Sequence, residues 1–348
     1  MTAIPQTELA PAPVPPTPAR RGSDFSELLR RVRAAGLLER RPGSYTARIA
    51  AHTLLLGTGL GAFFWLGNSW LQLLVAGYLG LVSTQLGFLG HDAGHRQIFR
   101  SGRANDLLGM LLANLLVGLS YDWWIGKHNR HHSHPNQLDE DPDLSAGALV
   151  WTPEQAQARH GIGRVVARYQ AWLFFPMLTL EALNLHVASV RAVLSGRSKS
   201  GTAELALLTA HWVGYVGAVV LVMSPWHALA FVIVHKAVFG LYLGCSFAPN
   251  HKGMPILDAD DQTDYLRRQV LTARNVRGGW FTHVALGGLN YQIEHHLFPS
   301  MPSASLPRCQ PLVREFCAER GLPYAETSAW SSYSDVVRYL HHAADVLR

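Results

Sequence analysis

The 348-residue sequence is poor in charged residues and in cysteine. Asp, Glu, Lys and Arg make up 16% of the chain, against 48% apolar residues. Such a low charged fraction is unusual for a water-soluble domain and indicates contact with a bilayer. The three cysteines, Cys245, Cys309 and Cys317, form no CxxC pair. This count and spacing argue against a disulfide framework and against a zinc knuckle.

The amino-terminal segment lacks the apolar core of a signal peptide. It contains the proline-rich run IPQTELAPAPVPPTPAR at residues 4–20, a composition that predicts a disordered tail. Residues 24–38 place apolar side chains on one helical face, with Asp24 and Glu27 in capping-box spacing. We therefore expect residues 1–44 to form a disordered tail and a basic interfacial helix.

Two long stretches, residues 49–90 and 204–248, are strongly apolar, and the first contains no Lys, Arg, Asp or Glu. About 20 apolar residues are needed for one helix to cross a bilayer, so each stretch predicts a membrane hairpin. Tryptophans flank both predicted turns, where interfacial aromatic residues belong. The predicted spans cover residues 47–67, 70–90, 204–223 and 227–248.

The positive charges indicate how these spans are oriented. Lys and Arg concentrate in residues 1–48, 91–202 and 251–348, whereas the two hairpin turns carry none. The positive-inside rule then places both termini and the long middle segment in the cytoplasm. The formal charge of +6 requires no nucleic-acid partner, because basic flanks also bind an anionic leaflet.

Two shorter apolar stretches complete the predicted architecture. Residues 105–120 are short for a crossing, and residues 165–187 contain Arg168, Pro176 and Glu181, so we interpret both as interfacial or re-entrant helices. The predicted fold is an all-α integral membrane protein with four transmembrane helices in two hairpins. Interfacial helices, a cytoplasmic histidine-rich cap (91–202 and 249–310) and a C-terminal helical tail (311–348) accompany them.

Histidines in three short motifs carry the predicted chemistry. Spacings of three and four residues bring side chains onto one face of a helix, and every motif falls on the predicted cytoplasmic side. Seven imidazoles arranged in this way have no simple packing explanation and predict metal binding. His251 follows the fourth span directly and is an eighth candidate. The motifs are HDAGH (His91 and His95), HNRHH (His128, His131 and His132) and QIEHH (His295 and His296).

Several other residues are weaker candidates. Gln292 lies three and four residues before the last histidine pair, on the same helical face, and could bind metal directly, bind it through water or hold a ligand. Asp92 could orient a ligand imidazole. His134 and His283 could line a loop or a cavity wall instead, and His186 could line a cavity or hold a ligand imidazole. We interpret the acidic run LDEDPD at residues 138–143 as a solvated loop.

The number of imidazoles predicts more than one metal, since a zinc site uses about four ligands. Imidazole suits iron, copper and zinc alike. Soluble di-iron bundles are excluded because they need Glu-x-x-His pairs, which the sequence lacks. A zincin-type protease is disfavoured because HDAGH carries Asp92 where HExxH has its catalytic glutamate.

Boxes of the form HxxxH, HxxHH and (H/Q)xxHH around two membrane hairpins resemble those of the membrane-bound fatty acid desaturases, over residues 45–310. The resemblance implies two iron ions, molecular oxygen as co-substrate, and removal of two hydrogens from adjacent methylenes of an acyl lipid or acyl thioester. It also implies that the seven box histidines bind iron, and His251 is similar to an additional ligand histidine of such enzymes.

A third box beginning with Gln is similar to the front-end and sphingolipid branch of that family. Many members of this branch carry a fused cytochrome domain with an HPGG motif, which this sequence lacks. The resemblance therefore implies a separate electron donor, either a ferredoxin or a b-type cytochrome with its reductase.

Two alternatives stay open from the sequence. The same metal centre could hydroxylate an acyl chain or lipid instead of desaturating it, and a zinc hydrolase or a lipid-binding module would use the histidines without redox chemistry. An acyl substrate requires a narrow apolar tunnel. Candidate wall residues, which could equally be ordinary helix packing, are Trp124, Trp172, Phe174, Phe175, Phe239 and Trp280.

Overall fold

The computed structural model of the protein describes residues 23–196 and 198–348, so most of the predicted disordered tail lies outside the described residues. The described part is mainly helical. The α-helices are α1 (Asp24–Ala34), α2 (Pro42–Leu66), α3 (Gln72–Gly94), α4 (Gly102–Met110), α5 (Tyr121–Ser133), α6 (Pro153–Gln157), α7 (Gly161–Arg168), α8 (Gln170–Leu178), α9 (Glu181–Leu194), α10 (Gly201–Val222), α11 (Pro225–His251), α12 (Tyr265–Leu271), α13 (Trp280–Ala285), α14 (Gln292–Leu297), α15 (Leu306–Glu319) and α16 (Ala329–Ala343).

Other regular elements are short. A π-helix covers Leu111–Val117, directly after α4. Strands β1 (Asn275–Arg277) and β2 (Glu326–Ser328) pair in parallel. Single 3-10 turns occupy Pro142–Leu144, Leu289–Tyr291, Ser303–Ser305 and Asp345–Leu347.

Four helices, α2, α3, α10 and α11, are long and apolar enough to cross a membrane. They confirm the predicted all-α membrane fold with two hairpins. Both α3 and α11 continue beyond the predicted span ends at residues 90 and 248, and these extra turns carry His91 and His251. The spanning helices thus extend into the histidine-rich cap, because the helical backbone does not stop where the apolar residues stop.

The two hairpins meet along α3 and α11. A Cβ atom on Gly80 would lie 2.9 Å from the backbone oxygen of His235, so the absence of a side chain there allows close approach of the two helices. The same packing places the ends of α3 and α11, with His91 and His251, on one side of the helical layer.

Two further helix pairs are apolar enough to cross but are sharply bent. The segment Gly102–Val117 meets α5 at 113°, and α8 meets α9 at 71°. The first pair contains the stretch 105–120 and the second contains most of the stretch 165–187, which begins in α7. Counting each bent pair as one span would give up to six crossings. Gly118 makes the first bend with φ +87°, and a side chain there would overlap the His211 ring. The bend directs α5 back toward the end of α3.

Helices α1, α12, α14 and α15 share one apolar core in the cap. Leu28 and Val32 of α1 are fully buried there, together with Leu297 and Phe316. The apolar face of α1 therefore covers the cap, where the sequence suggested contact with a membrane surface. The predicted boundary at residues 310/311 falls inside α15, and both parts of that helix contribute to this core.

The start of α1 differs from the expected capping box. Ser23 is the N-cap, and its hydroxyl accepts a hydrogen bond from the Ser26 amide at 3.2 Å. Asp24 and Glu27 instead pair with Arg320 of the loop after α15. Ser23 thus caps the helix one residue before the position that the spacing suggested, and Asp24 and Glu27 pair with a distant arginine instead.

Candidate metal centre

Eight histidines converge into two neighbouring clusters, and within each cluster the candidate ligand atoms all lie within 4.8 Å of one another. The structure brings together every histidine that the sequence singled out as a primary ligand candidate. The first cluster consists of His91, His95, His128, His132 and His295, and the second of His131, His251 and His296.

Adjacent histidines in the second and third boxes belong to different clusters. His132 and His295 face the first cluster, whereas His131 and His296 face the second. Consecutive side chains on a helix are about 100° apart, so an HH pair at the edge of a helix can serve two neighbouring sites. Helices α5 and α14 therefore each contribute to both clusters.

The distances between ring nitrogens fit a cation in each cluster. The Nε2 atoms of His95 and His128 are 2.9 Å apart, and those of His128 and His132 are 3.1 Å apart. In the second cluster, His251 Nε2 lies 3.0 Å from His296 Nε2. With metal–nitrogen bonds of about 2.1 Å, two ligands at 90–109° lie about 3.0–3.4 Å apart.

The burial of the imidazole rings also favours cation binding in these clusters. The Nε2 atoms of His91 and His295 are buried without a hydrogen-bond partner. Burial, together with neighbouring imidazoles, lowers the pKa of His295 and His296 well below the ordinary histidine value. The neutral imidazole that this favours is the form that binds metals.

The histidines of the second cluster are oriented by groups outside the boxes. Each Nδ1 has an oxygen acceptor, so the Nδ1 proton stays in place and the lone pair of Nε2 faces the cluster. The pairs are His131 with Asp141 (3.0 Å), His251 with the Thr272 carbonyl (2.9 Å) and His296 with Gln269 Oε1 (2.9 Å).

Asp141 lies in the acidic run that we interpreted as a solvated loop, and for this residue that interpretation is wrong. It is only 2% exposed, and it also accepts a hydrogen bond from the Asn136 amide at 2.8 Å. Burial alone would raise the pKa of Asp141, but the adjacent His131 outweighs it and the net shift is downward. The turn that returns Asp141 to His131 has no periodic spacing, so sequence analysis missed it.

Asp92, a predicted partner of a ligand imidazole, is buried beside the first cluster. Its Oδ1 lies 3.4 Å from His91 Nδ1. Two residues of α2 that the sequence did not single out also bind it: Tyr45 donates from its hydroxyl at 3.1 Å and Arg48 from Nη1 at 2.6 Å. The first spanning helix is thereby tied to the histidine box at the end of the second.

Gln292 is buried beside the second cluster. Its amide nitrogen lies 2.9 Å from His251 Nε2, and its Oε1 accepts a hydrogen bond from Asn250 at 3.2 Å. Because His251 Nδ1 donates to the Thr272 carbonyl, the Nε2 lone pair of His251 faces both the Gln292 amide nitrogen and the ring nitrogen of His296. The position that replaces a histidine in the third box thus contacts a candidate ligand directly.

The remaining weak candidates lie outside both clusters. His134 follows the last turn of α5 as its C-cap. His186 Nδ1 donates to the Gly118 carbonyl at 2.9 Å, in the wall made by the π-helix bend. The His283 ring packs 5.7 Å from the Tyr291 ring. None of the three belongs to a potential metal group among the described residues.

A mainly apolar cavity of 560 Å³ lies against both clusters, between α3, the π-helix, α5, α8 and α11. His91, His128, His131 and His251 form part of its wall. Of the predicted wall residues, Trp124, Phe174 and Phe239 line the cavity, and Trp172, Phe175 and Trp280 do not. Trp172 and Trp280 are 79% and 78% exposed and so face outward.

One part of the cavity wall is polar. Lys127 Nζ lies 2.7 Å from Asp143 Oδ1. Lys252 donates to the Asp143 carbonyl at 3.0 Å and stands 4.0 Å above the Trp151 ring. The cavity thus combines long apolar walls, one ionic group and two clusters of metal-binding side chains.

Comparison with known proteins identifies the family of this chain. The fatty acid desaturase family model matches residues 68–328. Similar proteins include an "Acyl-lipid (9-3)-desaturase" of Physcomitrium patens (28% identical over 312 residues), a "Delta(8)-fatty-acid desaturase" of Helianthus annuus (27% over 335) and a Delta(6)-fatty-acid desaturase of Caenorhabditis elegans (30% over 283). The alignments cover 86%, 92% and 77% of this chain, and 59%, 73% and 63% of the relatives. The chain therefore belongs to the fatty acid desaturase family.

Proposed function

We propose that the protein is an oxidoreductase that introduces a double bond into an acyl chain at a histidine-ligated di-iron centre. The observation that carries this proposal is the contact between the two histidine clusters and a single apolar cavity. Family membership supports the same reaction.

The proposed iron ligands are the eight clustered histidines, with Gln292 beside the second iron. Two irons would supply the activation of molecular oxygen that breaking an unactivated C–H bond requires. The protein residues hold and orient the ligands. Asp141 and Gln269 accept the Nδ1 protons of His131 and His296, and Asp92 stands beside His91.

The proposed substrate is an acyl chain carried by a lipid or a thioester. Apolar walls bind the methylenes and exclude water from the reacting carbons. Trp124, stacked on His128 at 4.5 Å, fixes the wall next to the first cluster. The polar group of Lys127, Lys252 and Asp143 suits the ester or thioester end of the chain. The relatives' names give different double-bond positions, Delta(8) and Delta(6). We therefore propose the desaturation that they share and assign no position to the double bond.

We further propose a multi-pass protein with both termini and the metal centre on the cytoplasmic side. The convergence of residues from the ends of α3 and α11 with α5 and α14 supports one shared side for all boxes. Electrons would come from a ferredoxin or a b-type cytochrome with its reductase.

Lipid analysis and metal analysis of the expressed protein test this function together. With a suitable electron donor, we expect about two irons per chain and acyl chains lighter by two hydrogens. Acyl chains heavier by one oxygen would contradict desaturation and indicate hydroxylation. One zinc per chain without any acyl product would contradict the redox proposal altogether.

Substitution of single histidines tests the ligand assignment. His128→Ala, His132→Ala and His296→Ala should each reduce desaturation to background while the protein stays in the membrane, because ligand loss leaves the apolar spans unchanged. His134→Ala is the matched control, since His134 is a near neighbour outside both clusters, and it should retain most activity. Normal activity in all three ligand variants would refute the metal site.

A further inference from the structure

Helix α13 exposes an aromatic surface that the metal centre does not use. Trp280 is 78% exposed, Phe281 77% and Val284 41%. Trp330, at the start of α16, is 84% exposed. Arg277 pairs with Ser328 at the last position of the two parallel strands, so Trp280 and Trp330 follow the same end of the sheet. Clusters of exposed apolar side chains mark contact sites when they form one surface.

Hydrogen bonds place α13 beside two membrane-spanning helices. Gln85 of α3 donates from Nε2 to the Val284 carbonyl at 3.1 Å. Tyr242 of α11 donates from its hydroxyl to the Ala285 carbonyl at 2.6 Å, and accepts from Gln85 Nε2 at 2.6 Å. The backbone of α13 is thus attached to both central spans.

The anchoring residues lie well inside the spans. Gln85 is thirteen residues after Gln72, the first residue of α3, and Tyr242 is seventeen after Pro225, the first residue of α11. At 1.5 Å per residue these positions are about 20 and 26 Å from the far ends of the helices. A bilayer's hydrocarbon core is about 30 Å thick. The level of α13 therefore falls within the leaflet next to the cap.

The backbone of α13 and the residues that flank it are compatible with a position inside the bilayer. Carbonyl groups within a bilayer need internal partners, and the Val284 and Ala285 carbonyls have them in Gln85 and Tyr242. Arg277 is exposed just before α13, where a long basic side chain can reach lipid phosphates. After α13, Gly287 turns the chain with φ +60° directly against the Phe88 ring, where no side chain would fit.

We infer that α13 is a re-entrant element whose Trp280, Phe281 and Val284 contact phospholipid acyl chains in the leaflet next to the cap, with Trp330 near the headgroups. The occupant is the bilayer because α13 is hydrogen-bonded to the spanning helices α3 and α11 at a level within the hydrocarbon core. The third box begins at Gln292, only seven residues after Ala285. The element therefore anchors that box to the membrane, independently of the reaction catalysed there.

Photo-crosslinking in phosphatidylcholine and phosphatidylglycerol nanodiscs tests this contact. We would replace Phe281 or Trp280 with p-benzoylphenylalanine, irradiate and measure adduct masses. We expect phospholipid adducts at both positions. The same replacement of Ala318, exposed on α15, should give none. Absence of lipid adducts at positions 280 and 281, adducts to a second protein copy alone, or equal lipid adducts at position 318 would overturn the inference.

Hydroxyl-radical footprinting of the unmodified protein in the same nanodiscs gives a measurement without substitutions. Trp280 and Phe281 should be less oxidised than Tyr265, although Tyr265 on the cap is only 39% exposed in the protein without lipid. Oxidation of Trp280 above the level of Tyr265 would place α13 in water and overturn the inference.

Discussion

At the scale of single residues, the carboxylate of Asp141 shows that the candidate metal centre extends beyond its histidine boxes. It is the partner of His131 Nδ1 and is buried with it. An Asp141→Asn variant keeps the size of the side chain but weakens the acceptor that orients the imidazole. Loss of such a partner usually costs about 10- to 100-fold in metal affinity, and we expect a loss of that size at the second cluster.

Iron retention during chelator dialysis measures this effect. The Asp141→Asn protein should lose about one of two irons at a chelator concentration that the original protein tolerates. Glu140→Gln is the matched control, because Glu140 is the adjacent, exposed member of the same acidic run. Equal iron retention in the two variants would remove Asp141 from the metal centre.

The ligand residues and their partners differed in how far the sequence could identify them. Seven of the eight histidines that converge show helical spacing, and that local periodicity was enough to select them, whereas His251 was selected by its position directly after the fourth span. Asp141, Gln269 and the Thr272 carbonyl act across ten to 27 residues. Their positions depend on how loops return to the helices, so no short spacing indicated them.

At the scale of elements, Glu204 holds the second histidine box in place. This carboxylate on α10 is fully buried. It accepts hydrogen bonds from Asn114 of the π-helix at 2.9 Å, Ser120 at 2.9 Å and the Asp122 amide at 3.0 Å. Ser198 also donates to it at 2.7 Å. One side chain thus connects a spanning helix to the bend before α5.

A Glu204→Gln variant should destabilise the bend. The amide group replaces one acceptor oxygen with a donor, and a buried group left without its partner costs about 1–3 kcal/mol. We expect a lower Tm in detergent and reduced iron content, since α5 carries His128, His131 and His132. Glu315→Gln, at an exposed position of α15, should change neither. Identical Tm values for both variants would show that the contacts of Glu204 do not stabilise the fold.

Sequence patterns predicted the long elements better than the bent ones. Runs of apolar residues were enough to predict the four long helices, because about 20 apolar residues in a row make a helix long enough to cross a bilayer. The π-helix and its bend depend instead on Gly118 fitting beside His211 and on the buried Glu204. Helix α1 gave a clear amphipathic pattern, but its apolar face packs against α15. Periodicity identifies such a face without identifying what covers it.

At the scale of the whole molecule, the two hairpins and the cap enclose one cavity whose length should select the acyl chain. Its walls come from α3, α5, α8 and α11 together. Its shape therefore depends on how these helices pack, and no single sequence segment could predict it. Gly87 of α3 lines this cavity, and an added Cβ there would meet no atom within 4 Å. A larger side chain at Gly87 would therefore project into open space.

Gly87→Leu should shorten the range of accepted acyl chains. A single methylene too many in an apolar pocket costs about 1–3 kcal/mol, or about 10- to 200-fold in kcat/KM, so we expect at least tenfold less turnover of the longest substrates and little change for shorter ones. Gly57→Leu is the matched control, since Gly57 also has open space around it but faces outward from α2. Fatty-acid profiles of cells expressing each variant measure the ratio of long to short products. If both variants reduce the products of all chain lengths equally, the substitutions act through helix packing and the cavity does not set substrate length. If only Gly87→Leu shifts the ratio, the cavity bound by the histidine clusters is the acyl site.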